Sequence, residues 1–148
     1  MEESIMSEVK IMLVDDEKPF VETRMKRLKK RGIEVVPAYD GLEALDCLEK
    51  NSGIEVVILD IKMPKMDGMT ALKEIKSKFP LVEVIMLTGH ATIETGIEGM
   101  KMGAFDYLMK PYDTEELIVK VNEAAKRKRD QEEKIMEARI QAITLRRH

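Results

Sequence analysis

The chain has 148 residues, 44% of them apolar, which is enough for the core of one domain and hardly for two. The net charge of −3 hides a division: residues 126–148 hold 8 basic and 4 acidic side chains, residues 1–125 hold 17 basic and 24 acidic. Lone Cys47 excludes an internal disulfide or paired-cysteine zinc site and suits a reducing cytosol, absent Trp argues against a nucleic-acid stacking platform, and neither a secretory signal nor a membrane-length apolar run is present.

The elements follow in chain order. Residues 11–14 form an apolar run of the kind buried on both faces of a parallel sheet. Phe20, Met25 and Leu28 then recur at helical spacing before a stop at Arg31-Gly32. A weaker strand pattern at 33–38 contains Pro37, which cannot donate to a ladder and so predicts an edge strand or a strand end. Leu42, Leu45 and Leu48 mark a second helix opening at Asp40-Gly41, and 56–59 is the third strand. Met69, Leu72 and Ile75 mark a third helix ending before Pro80, and 84–87 is the fourth strand.

Ile93, Ile97 and Met100 mark the fourth helix. Gly96 and Gly99 lie inside it, each costing about 1 kcal/mol relative to Ala, which suggests a marginal, movable element. After a fifth strand at 107–109, Leu117, Ile118 and Val121 begin a fifth helix, with Thr114 as N-cap and Glu116 in its first turn. No Gly or Pro interrupts 114–148, so this helix runs roughly 50 Å and its second half projects from the body. Five strand–helix repeats predict a doubly wound α/β fold with a parallel sheet and helices on both faces.

In such a sheet, ligands bind outside the carboxyl ends of the strands. The residues there are Asp15 and Asp16 after strand one, Asp60 at the end of strand three, Thr88 at the end of strand four and Lys110, then Pro111, after strand five. Three close carboxylates repel unless protonated or bound to a cation, and a hard divalent ion with oxygen ligands answers that repulsion. A carboxylate can also be phosphorylated, with a Lys and a hydroxyl neutralising the phosphoryl oxygens. The set reads as phosphoryl transfer to an aspartate.

Asp15-Asp16, the segment Ile58-Leu59-Asp60-Ile61-Lys62-Met63-Pro64-Lys65-Met66-Asp67-Gly68, then Leu87-Thr88-Gly89-His90 and Gly103-Ala104-Phe105-Asp106-Tyr107-Leu108-Met109-Lys110-Pro111 resemble the receiver domain of two-component response regulators over about residues 8–126. The details are most similar to receivers of NtrC-type transcriptional activators. The resemblance implies a flavodoxin-like fold with five parallel strands in the order 2-1-3-4-5. It implies that Asp60 accepts phosphate from a sensor histidine kinase, and that Asp15, Asp16, Asp60 and the Lys62 backbone carbonyl hold Mg²⁺. It further implies that Thr88 is the switch hydroxyl, that Tyr107 rotates inward with it, that Lys110 binds the phosphate and that the Lys110-Pro111 peptide is cis.

It divides the chain into an extension at 1–8, a receiver at 9–126 and a helical linker at 127–148. The expected protein is a cytoplasmic signalling receiver rather than a turnover enzyme, a homodimer through the fourth-to-fifth helix face or the C-terminal helix, with no nucleic-acid or membrane contact of its own.

Taken singly, each residue has a bland reading. Asp15-Asp16 would be a loop pair, Asp60 a cap, Thr88 a strand-end hydroxyl, Lys110 a solvated lysine, and 126–129 a solvated helix face. Their joint occurrence at strand ends favours the site. A haloacid-dehalogenase-type phosphatase is the enzyme alternative, but its first strand is followed by Asp-x-Asp, whereas Glu17 stands two residues after Asp15. A phosphorylation-independent adaptor would keep the fold and lose the acidic cluster.

Overall fold

In the computed structural model, which describes residues 8–61, 67–89 and 93–147, five short strands pair in parallel in the order β2-β1-β3-β4-β5. They are β1 (Lys10–Val14), β2 (Glu34–Ala38), β3 (Val56–Asp60), β4 (Glu83–Thr88) and β5 (Asp106–Met109). Helices α1 (Lys18–Lys29), α2 (Gly41–Lys50), α3 (Gly68–Lys78), α4 (Ile93–Lys101) and α5 (Thr114–Arg147) each follow one strand. This is the expected flavodoxin-like topology with its long C-terminal helix. Lys62, Met63, Met66 and His90 lie outside the described residues.

Alternate strand residues build two cores, as the pleat requires. Ile11, Leu13, Ile58, Ile85 and Leu87 pack with Val21 and Leu28 of α1 and with Leu117, Val121 and Ala125 of α5. Met12, Val14, Val57, Leu59 and Met86 face the other way, against Ala44 and Leu48 of α2 and Leu72 and Ile75 of α3. β2 is an edge strand, which is why Pro37 is tolerated opposite Leu13.

Several sequence expectations are corrected by packing. Phe20 and Leu42, which carry the apolar spacing of their helices, are more than half exposed, and Val21 and Ala44 are buried in their place. On α4 the apolar positions Ile97 and Met100 face solvent while Gly96 and Gly99 are buried. A Cβ on Gly99 would stand 2.1 Å from Met86 Cε, and one on Gly96 would stand 3.3 Å from the Tyr107 ring. These glycines let the helix approach the sheet, so its low propensity has a packing cause. At α5, Asp113 rather than Thr114 caps the helix, its Oδ1 accepting the Glu115 N–H at 3.3 Å.

Helix α5 stays tied to the body beyond its apolar contacts. Arg129 donates from Nε to Glu55 Oε2 and from Nη2 to Glu55 Oε1, both at 2.7 Å. Arg127 Nε stands 3.1 Å from Glu83 Oε2, an ion pair without hydrogen-bond alignment. Glu55 and Glu83 are buried, so this stretch of 126–129 is not simply a solvated face. From residue 132 to 146 the helix is exposed throughout.

Candidate functional site

The site lies at the carboxyl edge of the central strands, where β1, β3 and β4 end side by side. Asp15 leaves β1 with its N–H on the Ala38 carbonyl at 3.1 Å, which fixes where the chain turns. Asp60 is the last residue of β3, and the following Ile61 N–H bonds the Leu87 carbonyl at 3.1 Å. Thr88 ends β4, and its carbonyl accepts the Lys110 N–H at 2.8 Å. That bond places the start of the β5–α5 loop next to Asp60. The Lys110-Pro111 peptide is cis.

These anchors bring the acidic side chains together. Carboxylate oxygens of Asp15, Asp16 and Asp60 all lie within 4.8 Å of one another. Asp15 is 1% exposed, Asp60 and Thr88 are buried, and Asp16 is open to solvent. Lys110 Nζ reaches Asp60 Oδ2 at 3.4 Å and Asp15 Oδ2 at 3.6 Å. An all-carboxylate donor set, two members buried and one facing solvent, fits a hard divalent cation such as Mg²⁺ that keeps part of its water shell. Asp60 sits on the last position of β3, and Asp15 and Asp16 on the first two positions of the loop that leaves β1. The Lys62 carbonyl, the fourth expected ligand, lies outside the described residues.

Tyr107 sits on β5 opposite Met86, 40% exposed, with its ring against Gly96 of α4. The structure thus assembles Asp15, Asp16, Asp60 and Lys110 into one cluster. Thr88 lies on the neighbouring strand end, and Tyr107 is two residues before the Thr88 partner Met109 on β5.

One site residue escapes the sequence reading. Arg24 of α1 donates from Nη1 to Asp15 Oδ2 at 3.2 Å. Its guanidinium lies 5.8 Å from the Phe20 ring centroid and 5.2 Å from that of Tyr112. Burial pushes the Tyr112 phenol above its ordinary range, against the opposing pull of Arg24. Arg24 is nine residues from Asp15 and belongs to no motif; only the helical phase of α1 relative to β1 could have signalled it.

With this geometry in place, the comparison with known families is decisive. The family model described as response regulator receiver domain matches residues 11–122. The chain belongs to this family. Among solved structures, a receiver domain protein from Clostridium thermocellum is 41% identical, with a TM-score of 0.78 over 82% of this chain and 97% of that one. The receiver domain of a Francisella response regulator is 35% identical, with a TM-score of 0.75 over 80% of this chain and 98% of that one. The receiver domain of NtrX from Brucella abortus is 32% identical, with a TM-score of 0.73 over 78% and 98%. Receiver domains are parts of two-component signalling, and the strand-end carboxylates stand where the expected phosphoacceptor site of this one would be.

Proposed function

We propose that this receiver domain takes a phosphoryl group from a sensor histidine kinase onto Asp60, with Mg²⁺ held by Asp15, Asp16 and Asp60. The observation that carries this reading is the convergence of three carboxylates and the Lys110 ammonium at one sheet edge. In the transfer, an Asp60 oxygen attacks phosphorus, the bond from phosphorus to the donor imidazole nitrogen breaks, and the imidazole leaves. Lys110 sits to neutralise phosphoryl oxygens, and the Thr88 hydroxyl is one strand away to hydrogen-bond one of them. A bound Mg²⁺ would supply Lewis-acid stabilisation of the charge on those oxygens, with the Lys62 carbonyl as the family-implied last protein ligand.

Glu17 stands two residues after Asp15 where the phosphatase pattern has its general-acid Asp, so we read the chain as a receiver and not as a phosphatase. Movement of Thr88 toward the phosphoryl group, with Tyr107 turning inward over Gly96, would change the exposed face of α4, β5 and α5. We read the output as NtrC-type transcription regulation in the cytoplasm, through a domain outside these residues. NtrX of Brucella abortus, 30% identical and covered by this chain over 29% of its length, sets such a receiver within a longer chain. Among the described residues no helix is long and apolar enough to cross a membrane.

The test is labelling with a small phosphodonor and Mg²⁺. Wild type should take up one phosphoryl group per chain, and Asp60→Asn none. Undiminished labelling of Asp60→Asn, or steady release of phosphate from phosphomonoesters, would overturn the reading.

A further inference from the structure

We propose that Arg24 acts as a built-in counter-cation for Asp15 and thereby sets how tightly the acidic cluster takes Mg²⁺; this rests on the metal reading given above. The Arg24 side chain is 20% exposed and the Asp15 side chain 1%, so their 3.2 Å contact is largely shielded from water. The guanidinium is held between the rings of Phe20 and Tyr112, which fixes it better than a free surface arginine.

The two oxygens of Asp15 are used differently. Oδ1 accepts the Glu17 N–H at 3.0 Å, and Oδ2 faces both Arg24 and Lys110. Asp15 is therefore kept in place by Glu17, by Lys110 and by the end of β1 even without Arg24. What Arg24 adds is charge. With Lys110 it offsets two of the three carboxylates, and it occupies lone-pair space on an oxygen that a cation would use. A positive charge about 6 Å from a divalent ion weakens its binding roughly tenfold even at a water-like dielectric. The residue thus lowers cation affinity while keeping the cation-free cluster from repelling itself apart.

The experiment titrates Mg²⁺ into EDTA-stripped protein by calorimetry and measures thermal melting in EDTA and in excess Mg²⁺. Arg24→Met keeps length beside the two rings and removes the charge; Arg24→Lys keeps the charge and loses the planar guanidinium. Arg24→Met should bind Mg²⁺ about tenfold tighter, melt lower than wild type in EDTA, and gain more from Mg²⁺ than wild type does. Arg24→Lys should stay near the wild-type affinity. Equal or weaker binding by Arg24→Met would overturn the inference, as would the same shift in both variants, since that would be a packing effect. Absence of Mg²⁺ binding by the wild-type chain would instead overturn the metal reading itself.

Discussion

At the scale of single residues, position relative to a strand end decides chemistry. Asp60 is the last ladder residue of β3 and Asp15 follows the last residue of β1 with its N–H on the Ala38 carbonyl, so both carboxylates lie at the carboxyl edge of the sheet. Cys47 shows the opposite outcome. It lies half-buried on α2, burial pushes its thiol up, and the Asn51 side chain pulls it down only in part. A raised thiol carries less thiolate at neutral pH, so Cys47 should react with an aromatic disulfide more slowly than the same chain unfolded in urea. The difference should narrow as pH rises through the thiol range. A folded-state rate equal to the unfolded one at pH 7 would contradict this account of its environment.

At the scale of elements, α4 separates propensity from packing. Gly99 faces the Sδ–Cε end of fully buried Met86, which a methyl group would force to repack inside the core, whereas Gly96 faces a half-exposed ring with solvent to move into. Gly99→Ala gains about 1 kcal/mol of helix propensity but incurs about 1–3 kcal/mol of overpacking, so it should lower stability. Gly96→Ala should gain most of the propensity term and melt at or above the wild-type urea midpoint. Destabilisation of equal size in both would show that the sheet contact is not what distinguishes them. Capping follows local rules more closely: Asp40 and Asp67 each accept an N–H three residues on, from Glu43 and Thr70, both at 2.8 Å.

At the scale of the whole molecule, α5 is both part of the core and an arm. Its first turns bury Leu117, Val121, Ala124 and Ala125 against the sheet, and Arg129 is then forked onto Glu55. Removing one partner of such a pair would leave a buried charge, which ties the direction of the arm to the body. Val121 is fully buried, so it is not available to a helix pair. The exposed large apolar positions of the arm are Ile135, Met136, Ile140, Ile143 and Leu145, and Met136, Ile140 and Ile143 share one helical face. We propose that this face pairs with a second copy. Light scattering should give a dimer for wild type and a monomer for Ile140→Glu, with or without beryllofluoride; a wild-type monomer throughout would remove the proposal.

The order of strands and helices, the strand-end places of Asp15, Asp16, Asp60, Thr88 and Lys110, and the length of the last helix are legible in the sequence. Each rests on local periodicity, on a turn residue or on a short motif, and such signals survive without tertiary context. What the fold decided is which face of each helix turns inward. Phe20, Leu42, Ile97 and Met100 carry the apolar periodicity yet face solvent, because the sheet selects the neighbouring Val21, Ala44 and the two glycines for their fit. The pairing of Arg24 with Asp15 and of Arg129 with Glu55 was equally out of reach. It joins residues 9 and 74 positions apart through the relative phase of a helix and a strand, which no spacing along the chain encodes.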